Sequence, residues 1–557
     1  MCGIAGFITY NKDYDSEKIV SAMLDKISHR GPNQQGLKNF GNVTLGMVRL
    51  SIIDNEKHAV PLTDISKNYA IVYNGEIYNH NEIRRYLNYK FVTNSDTETT
   101  LISYIKNGIN SFKEHNGMYA FAIYDRMKRE TIIVRDKAGE KPLYFAHGKD
   151  FFIFASEIKS LLTFVEPKFN DESLSYQAYE FTVGKETLFK NILQLEPGEF
   201  ITVSHKPDNI KFKIKSYWKI WDNLIEIEDN ERKIKKDLSE LLEDSILLRT
   251  KNSAYKYAAF ISGGVDSSLI ACIAKPDFLY TAHYNYKDFN ELCYAKLVAK
   301  QLKKKLTVVK PTKEDFLHTR EDIAYYLDTP CTWTSFTLWM LLKKAKEDGV
   351  KIIMSGEGAD EMFAGYHRYH LLHHDEQIKN LEAMKQYSFL VNKYYGSPVE
   401  RYAKLVNRTE NIYDTKVNKF LENLMSKFFY KIKKDVIHFM GVNDFYTTMQ
   451  VLLQMSDRLS MAHSIENRSP FLDYRLIQYA FSMPSKYKIR SGKTKWILKE
   501  ISKKFIPREI SERIDKRGFS APVNKWFKWD KHGKYNRSIY KKMVFDDWKK
   551  VFGVKDV

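Results

Sequence analysis

Residues 255–268 read YKYAAFISGGVDSS, and this stretch decides the fold of the larger half of the chain. Its first residues are apolar and short enough for a buried strand, and SSLIACIAK has helical spacing. The turn between them is a place for an anion. Gly263 and Gly264 allow a tight loop with inward-pointing N–H groups, Ser262, Ser267 and Ser268 add hydroxyls, and the helix start adds a favourable field. The spacing is not that of the GxxxxGK[ST] loop. Asp266 would repel a phosphate unless a cation intervened, and Mg²⁺ resolves the conflict. A glycine–serine turn with a capping aspartate is the structural alternative.

Outward from that loop the grammar repeats. FLYTAHYNY, LTVVKP and VKIIMSG read as strands, and NELCYAKLVAKQL and SFTLWMLLKKAKEDG as helices. Strict alternation predicts a doubly wound parallel sheet with ligands at the carboxyl ends of its strands. A second loop, IIMSGEGADEMFAGY at 352–366, packs Glu357, Asp360 and Glu361 among glycines. Asp266 and Asp360 are expected to share magnesium, with Glu357 near the reacting centre. From about Pro398 the chain reads as mostly helical, and the last 27 residues as an amphipathic helix capping this half.

The first 203 residues are different. CGIAGFITY, NVTLGMVRLSII, YAIVYNGEIY, MYAFAIYD, ETIIVRD, FFIFASEI and GEFITV are β-branched and aromatic, joined by short polar turns. This predicts an α+β domain on antiparallel sheet, with helices at SEKIVSAMLDKIS and TETTLISYIKNGI. Residues 204–230 read as an irregular connector and 231–557 as the second domain.

Composition sets bounds. A chain of 557 residues, 43% hydrophobic, exceeds one core and is globular. Four cysteines at no paired spacing predict neither a disulfide framework nor a zinc site. No basic-then-apolar leader and no apolar run of membrane length is visible, so a cytoplasmic protein without membrane contact is expected. The net charge of +19 admits an anionic partner, but the lysines lie on amphipathic helical stretches and no nucleic-acid motif accompanies them. Nucleic-acid binding is not expected.

The chain opens MCGIAGF. Removal of Met1 would leave Cys2 with a free α-amine, whose pKa of roughly 7.7–8.0 lets it take the thiol proton. The small residues that follow suit both the cleavage and an accessible nucleophile.

SGGVDSS, SGEGADEMFAGY, DRLSMAHSIENRSPFLDYRL and RIDKRGFSAPVNKWF together resemble the glutamine-hydrolysing asparagine synthetase family, and the resemblance runs over nearly the whole chain. It continues at the N-terminus through MCGIAGF, HRGPNQQG, RLSIID, YNGEIYNH, NSDTE and RDKAGEKPLYF. It implies an αββα N-terminal-nucleophile glutaminase domain followed by an ATP-pyrophosphatase-type synthetase domain. By resemblance, Cys2 is the nucleophile, and Asn74 and the Gly75 N–H stabilise the oxyanion. Arg49, Ile52, Glu76 and Asp96, with Asn74 and Gly75, hold glutamine. Ile261, Ser262, Gly263, Gly264, Asp266, Ser267, Ser268, Tyr284, Ser355 and Gly356 line the ATP site. Lys516 contacts pyrophosphate, and Glu357 serves acyl-adenylate formation. Glu466, Arg468 and Asp473 fall in the family signature, where buried ion pairs explain them as well as substrate contacts do. Ammonia would pass internally between the sites, which calls for a large apolar interface.

The implied reaction joins aspartate, ATP and glutamine, with Mg²⁺, to give asparagine, AMP, pyrophosphate and glutamate; a homodimer is compatible with it. One alternative keeps the machinery but amidates another carboxylate, such as a sugar acid. Tyr284, Asn33 and Glu140 depart from the family pattern and keep it open. Another is a non-catalytic basic binding protein, against which Cys2, Asp266 and Glu357 all stand.

Overall fold

The computed structural model describes residues 1–52, 59–206, 209–251, 255–286, 289, 291–369, 397–408, 414–429, 431, 435–513, 520–528 and 537–554. In chain order the strands of the first half are β1 (Cys2–Thr9), β2 (Gln34–Asn39), β3 (Val43–Arg49), β4 (Leu62–Thr63), β5 (Tyr69–Ile77) and β6 (Gly117–Asp125). They continue with β7 (Glu130–Arg135), β8 (Tyr144–His147), β9 (Phe151–Ala155), β10 (Leu193–Gln194), β11 (Glu199–Lys206) and β12 (Asn209–Ser216). They form two antiparallel sheets, ordered β10-β8-β9-β1-β3-β2 and β12-β11-β7-β6-β5-β4.

Period-two alternation explains the layering. Ile4, Leu45 and Phe154 of one sheet meet Val72, Ala122 and Val203 of the other in a shared core. On the outer face of the first sheet, Ala5, Phe7 and Val48 pack under Val20, Met23 and Leu24 of the helix Ser16–Lys26. On the outer face of the second, Ile71, Tyr73 and Phe121 pack under Leu101, Ile102 and Tyr104 of the helix Asp96–Asn107. The order is helix, sheet, sheet, helix, as expected. The expected irregular connector is different: β11 and β12 pair from Glu199↔Ser216 to Lys206↔Asn209, so residues beyond 204 extend the sheet to Ser216. Its lysines alternate with Ile210, Phe212 and Ile214, a half-buried pattern that the charge count obscured.

The second half holds β13 (Tyr257–Phe260), β14 (Phe278–Ala282), β15 (Leu306–Val309), β16 (Ile352–Met354) and β17 (Glu466–Arg468), all parallel, ordered β15-β14-β13-β16-β17. Ala259, Leu279 and Met354 face the helices Val265–Ala274 and Leu292–Leu302. Ala258, Phe260, Tyr280 and Ile353 face the helices Lys313–Leu327 and Trp333–Glu347. The sheet is therefore doubly wound.

Two features correct the sequence reading. Between β15 and β16 stand two helices where one was expected, because Lys313–Leu327 carries mixed polarity. The fifth strand, β17, reads Glu-Asn-Arg and has no β-branched residue, so only its register beside β16 reveals it.

The C-terminal helix Arg537–Phe552 does not merely cap the second half. Trp548 is fully buried, packs on Phe169 and Phe189 of the first half, and donates from Nε1 to the Asp328 carbonyl at 3.1 Å. Nor is the interface only apolar. Met1, Leu50, Ile52, Tyr78 and Met118 meet Ile352 and Met461 in one cluster, but a buried ionic network lies alongside it. In it Arg30 pairs with Asp457 at 2.8 Å, Lys141 with Asp457 at 3.3 Å, and Arg458 with Glu157 at 3.2 Å and Asp328 at 3.2 Å. No helix among the described residues is long and apolar enough to cross a membrane.

Candidate active sites

β1 and β3 place Cys2 directly opposite Arg49. Cys2 is buried, and its backbone N–H donates to Asn74 Oδ1 at 3.0 Å, which ties the first strand to the end of β5. Asn74 Nδ2 is buried and has no hydrogen-bond partner among the described residues. A buried donor with no partner is costly unless a ligand completes it.

An open cleft of about 390 Å³ surrounds these groups, lined by Cys2, Arg49, Ile52, Gly75, Glu76 and Asp96 with Met1 and Glu466 among others. Five of the six glutamine-site residues of the sequence reading thus line it, and the sixth, Asn74, is bonded to the Cys2 N–H. Asp96 opens the helix Asp96–Asn107, whose cap is Ser95, and its Oδ2 accepts from Tyr73 Oη at 2.8 Å and from the Ile77 N–H at 2.9 Å. Arg49 Nη1 donates to Gln34 Oε1 at 3.4 Å.

The cleft has a wall from the other half of the chain. The Met1 ammonium donates to the Leu50 carbonyl at 3.1 Å and pairs with Glu466 at 3.3 Å. Arg468 Nη2 lies 2.5 Å from Glu76 and its Nε 2.7 Å from Glu466. Burial raises the Glu76 carboxyl well above the carboxylate range, and Arg468 only partly offsets this. Burial would raise Glu466 as well, but Arg468 and the N-terminal ammonium outweigh it and bring it down to about 2.

The second site forms at the carboxyl ends of β13 and β16. Gly263 has φ of +69°, and a Cβ there would stand 2.6 Å from that of Tyr294, so the turn accepts only glycine without rearrangement. The cradle is braced: Ser262 and Ser267 hydroxyls lie 3.0 Å apart, and Arg513 donates from Nη1 to the Gly263 carbonyl at 3.1 Å. Ser268 is fully buried within the helix Val265–Ala274. A Cβ on Gly356 would come within 3.1 Å of the Asp266 Cβ, which shows how closely the two loops face one another.

Asp266 and Asp360 do converge, on Lys495. Its Nζ lies 2.7 Å from Asp266 and 2.6 Å from Asp360. The pair of hard oxygen donors around one cationic centre fits a magnesium ion that brings its remaining ligands from phosphate and water. Among the described residues no group of three acidic, histidine or cysteine side chains gathers as a complete protein-only metal site. The sequence reading missed Lys495 and Arg513, because lysine and arginine are common here and neither lies in a glycine-rich loop.

Glu357 sits beside this loop. Ser456 Oγ donates to it at 2.9 Å, Ser469 Oγ at 3.3 Å, and Ser355 Oγ also bonds it. Burial raises its carboxyl above the ordinary range, and the hydrogen bonds from Ser456 and Ser469 oppose the rise. Ile261 is in the core beneath the turn, its N–H bonded to the Tyr280 carbonyl at 2.8 Å. Tyr284 is buried with its hydroxyl 2.7 Å from Thr337 Oγ1 and its ring against Trp526, so its side chain belongs to the core beside the strand end. Lys516 lies outside the described residues. Asp473 forms a buried ion pair with Arg249, as the signature allowed, and a half-buried one with Arg475, and is held well below the carboxylate range despite its burial.

The fold defines a two-part enzyme, a cysteine-bearing αββα domain joined to a doubly wound domain with a glycine–serine turn at the ends of its strands. Residues 1–218 match the model of the glutamine amidotransferase domain, and residues 237–548 match the model of asparagine synthase. "Asparagine synthetase [glutamine-hydrolyzing] 1" of Bacillus subtilis is 30% identical, over 95% of this chain and 88% of that protein. A putative asparagine synthetase of Mycobacterium tuberculosis is 28% identical, over 95% and 88%. The amidase chry2 of Gibberella zeae is 27% identical, over 98% and 93%. The chain belongs to the asparagine synthase family, and its glutamine-hydrolysing asparagine synthetase relatives indicate a carbon–nitrogen ligase that uses glutamine.

Proposed function

We propose that this chain is a glutamine-dependent asparagine synthetase, with glutaminase chemistry in the first half and ATP-dependent adenylation in the second. The observation that carries the reading is Cys2 bonded through its N–H to Asn74, opposite Arg49, in a cleft that also holds Glu76 and Asp96. Glutamine needs each of these groups. The Arg49 fork suits its α-carboxylate, and Glu76 and Asp96 suit its α-ammonium. With Met1 removed, the Cys2 amine takes the thiol proton and the sulfur attacks the amide carbon. The oxyanion accepts hydrogen bonds from Asn74 Nδ2 and the Gly75 N–H. Ammonia leaves with the transferred proton, and water cleaves the thioester to glutamate.

In the second half the aspartate side-chain carboxylate attacks the α-phosphorus of ATP, and the bond to the leaving pyrophosphate breaks. Ser262, Gly263, Gly264, Ser267 and Ser268 cradle the pyrophosphate, with Lys516 proposed as a further contact. Ser355 and Gly356 border the nucleotide, along with Ile261 and the backbone at Tyr284. Asp266 and Asp360 would hold Mg²⁺, which supplies neutralisation of phosphate charge. Lys495 holds the two carboxylates together meanwhile. Ammonia attacks the acyl carbon, AMP leaves, and a proton passes from the new amide nitrogen; Glu357 is the carboxylate placed to accept it. The glutaminase half is proposed as residues 1–203 with the β11–β12 hairpin, and the synthetase half as the remainder from 231.

Pyrophosphate release by untagged protein, with ATP, Mg²⁺ and glutamine, scanned over aspartate and other carboxylic acids, tests the reading. Release that requires aspartate, with asparagine and AMP in step, supports it. A response only to a sugar acid would keep the machinery and change the acceptor.

A further inference from the structure

β17 lies at the edge of the synthetase sheet, yet its side chains reach both sites. Asn467 points one way: its Nδ2 donates to Ser456 Oγ at 2.7 Å, and that hydroxyl donates to Glu357 at 2.9 Å. Glu466 and Arg468 point the other way, as alternation demands. They are buried to within 1% exposure, and Glu466 lines the cleft around Cys2. Arg468 is fixed on three sides, by Glu76, by Glu466 and by the Arg249 carbonyl, which accepts from Nη1.

Glu76 and Glu466 share the one guanidinium of Arg468 and both line the cleft, and Glu466 is the carboxylate of the two that meets an ammonium group, that of Met1 at 3.3 Å. The wall therefore already accepts a primary ammonium group. Once Met1 is gone, the face of Glu466 that held it stands beside Glu76 for the ammonium of a ligand.

Resting on the reading of this cleft as a glutamine site, we propose that Glu466 and Arg468 of the synthetase half are positioning residues of the glutaminase. Arg468 holds Glu76 against the cleft, and Glu466 supplies the second carboxylate that selects a substrate bearing an α-ammonium. The glutamine site is then incomplete in the first half alone. The same strand sets Asn467 beside the Ser456–Glu357 pair.

The test compares hydrolysis of L-glutamine with that of 4-carbamoylbutanoate, which is glutamine without its α-amine, by the untagged full chain. In Glu466→Gln and Arg468→Met, KM for glutamine should rise about tenfold or more at little changed kcat, with KM for the amine-free analogue moving about twofold or less. Arg468→Lys should restore part of the preference. Should the Met variant fail to fold, the near-isosteric Glu466→Gln and the charge-conserving Arg468→Lys carry the comparison. Equal losses on both substrates, or a fall in kcat at unchanged KM, would overturn the proposal and leave these residues as interface supports. If the unaltered protein hydrolyses no glutamine, the glutaminase reading itself fails before any variant is compared.

Discussion

Arg30 and Asp457 meet in a two-bond fork, Nη1 to Oδ2 at 2.8 Å and Nη2 to Oδ1 at 3.2 Å, joining the first half of the chain to the second with both side chains buried. Arg30 also donates from Nε to the Cys2 carbonyl at 3.0 Å and from Nη1 to Glu157 at 2.7 Å. One guanidinium thus touches the strand that bears Cys2, the cap of the short helix Ile158–Leu161 and the synthetase helix Thr448–Ala462. Asp457 is held below the carboxylate range despite its burial, with Arg30 and Lys141 as the counter-charges. Breaking a buried pair from one side leaves an uncompensated charge and costs about 3–5 kcal/mol. Arg30→Met should therefore destabilise the chain by that order in urea unfolding and reduce glutamine hydrolysis, while a loss below about 1 kcal/mol would mean that Lys141 alone suffices for Asp457.

Cys2→Ala should abolish glutamine-dependent synthesis and leave ammonia-dependent synthesis in place. Asparagine formation with ammonium chloride replacing glutamine is the measurement. Loss of both activities would contradict separate sites. An uncleaved tag ahead of Cys2 should act like the substitution on glutamine hydrolysis, since it removes the free amine.

The synthetase loops predict the reverse separation. Asp266→Ala or Glu357→Ala should lower pyrophosphate release by about a hundredfold or more and spare part of the glutamine hydrolysis, because charge neutralisation and proton handling at the reacting groups are worth that much. Asp266→Ala also frees Lys495 from one of its two carboxylates, so a shift in the magnesium dependence of residual activity is expected. Equal loss of both activities would indicate coupling through the interface rather than a local defect.

Gly263→Ala offers a test of the cradle without touching a polar group. Its φ of +69° and the 2.6 Å approach to Tyr294 leave no relaxed place for a methyl group. The variant should lose roughly 1–3 kcal/mol of stability and most pyrophosphate release, read by urea unfolding and by the pyrophosphate assay. Unchanged activity would show that the turn does not touch the nucleotide.

Glu140 gives a pH dependence. Burial, with a smaller push from Asp136, raises its carboxyl to about 8. In the unfolded chain it ionises near the ordinary 4.5. Between these values the unfolded state binds fewer protons than the folded state, so this residue makes stability fall as pH rises through that window, by at most about 1.4 kcal/mol per pH unit. Above about 8 its contribution is level again. Glu140→Gln should flatten the decline, so the gain in urea midpoint should be larger at pH 8.5 than at pH 5.5. An equal gain at both would place the effect elsewhere.

Much of this was legible in the residues. The alternation in β1, β5 and β6 dictated antiparallel layers, and apolar strands ending in SGGVDSS and SGEGADE dictated a doubly wound sheet with its loops at one end. Those signals are local: a strand period or a glycine turn is written in adjacent residues. β12 hid because lysines on its solvent face made it read as a linker. The three residues of β17 hid because a strand that short has no period to detect.

What tertiary structure alone decided is which distant charges share a buried space. Lys495 stands between Asp266 and Asp360, Arg468 between Glu76 and Glu466, and Arg30 between Glu157 and Asp457. Nothing in the spacing of a lysine or an arginine names its partner, because an ion pair is fixed by proximity in space and by the cost of burying either charge alone. The sequence by itself determined the two folds and the chemical groups each presents. The packing of one fold on the other determined that a synthetase strand forms a wall of the cleft around Cys2.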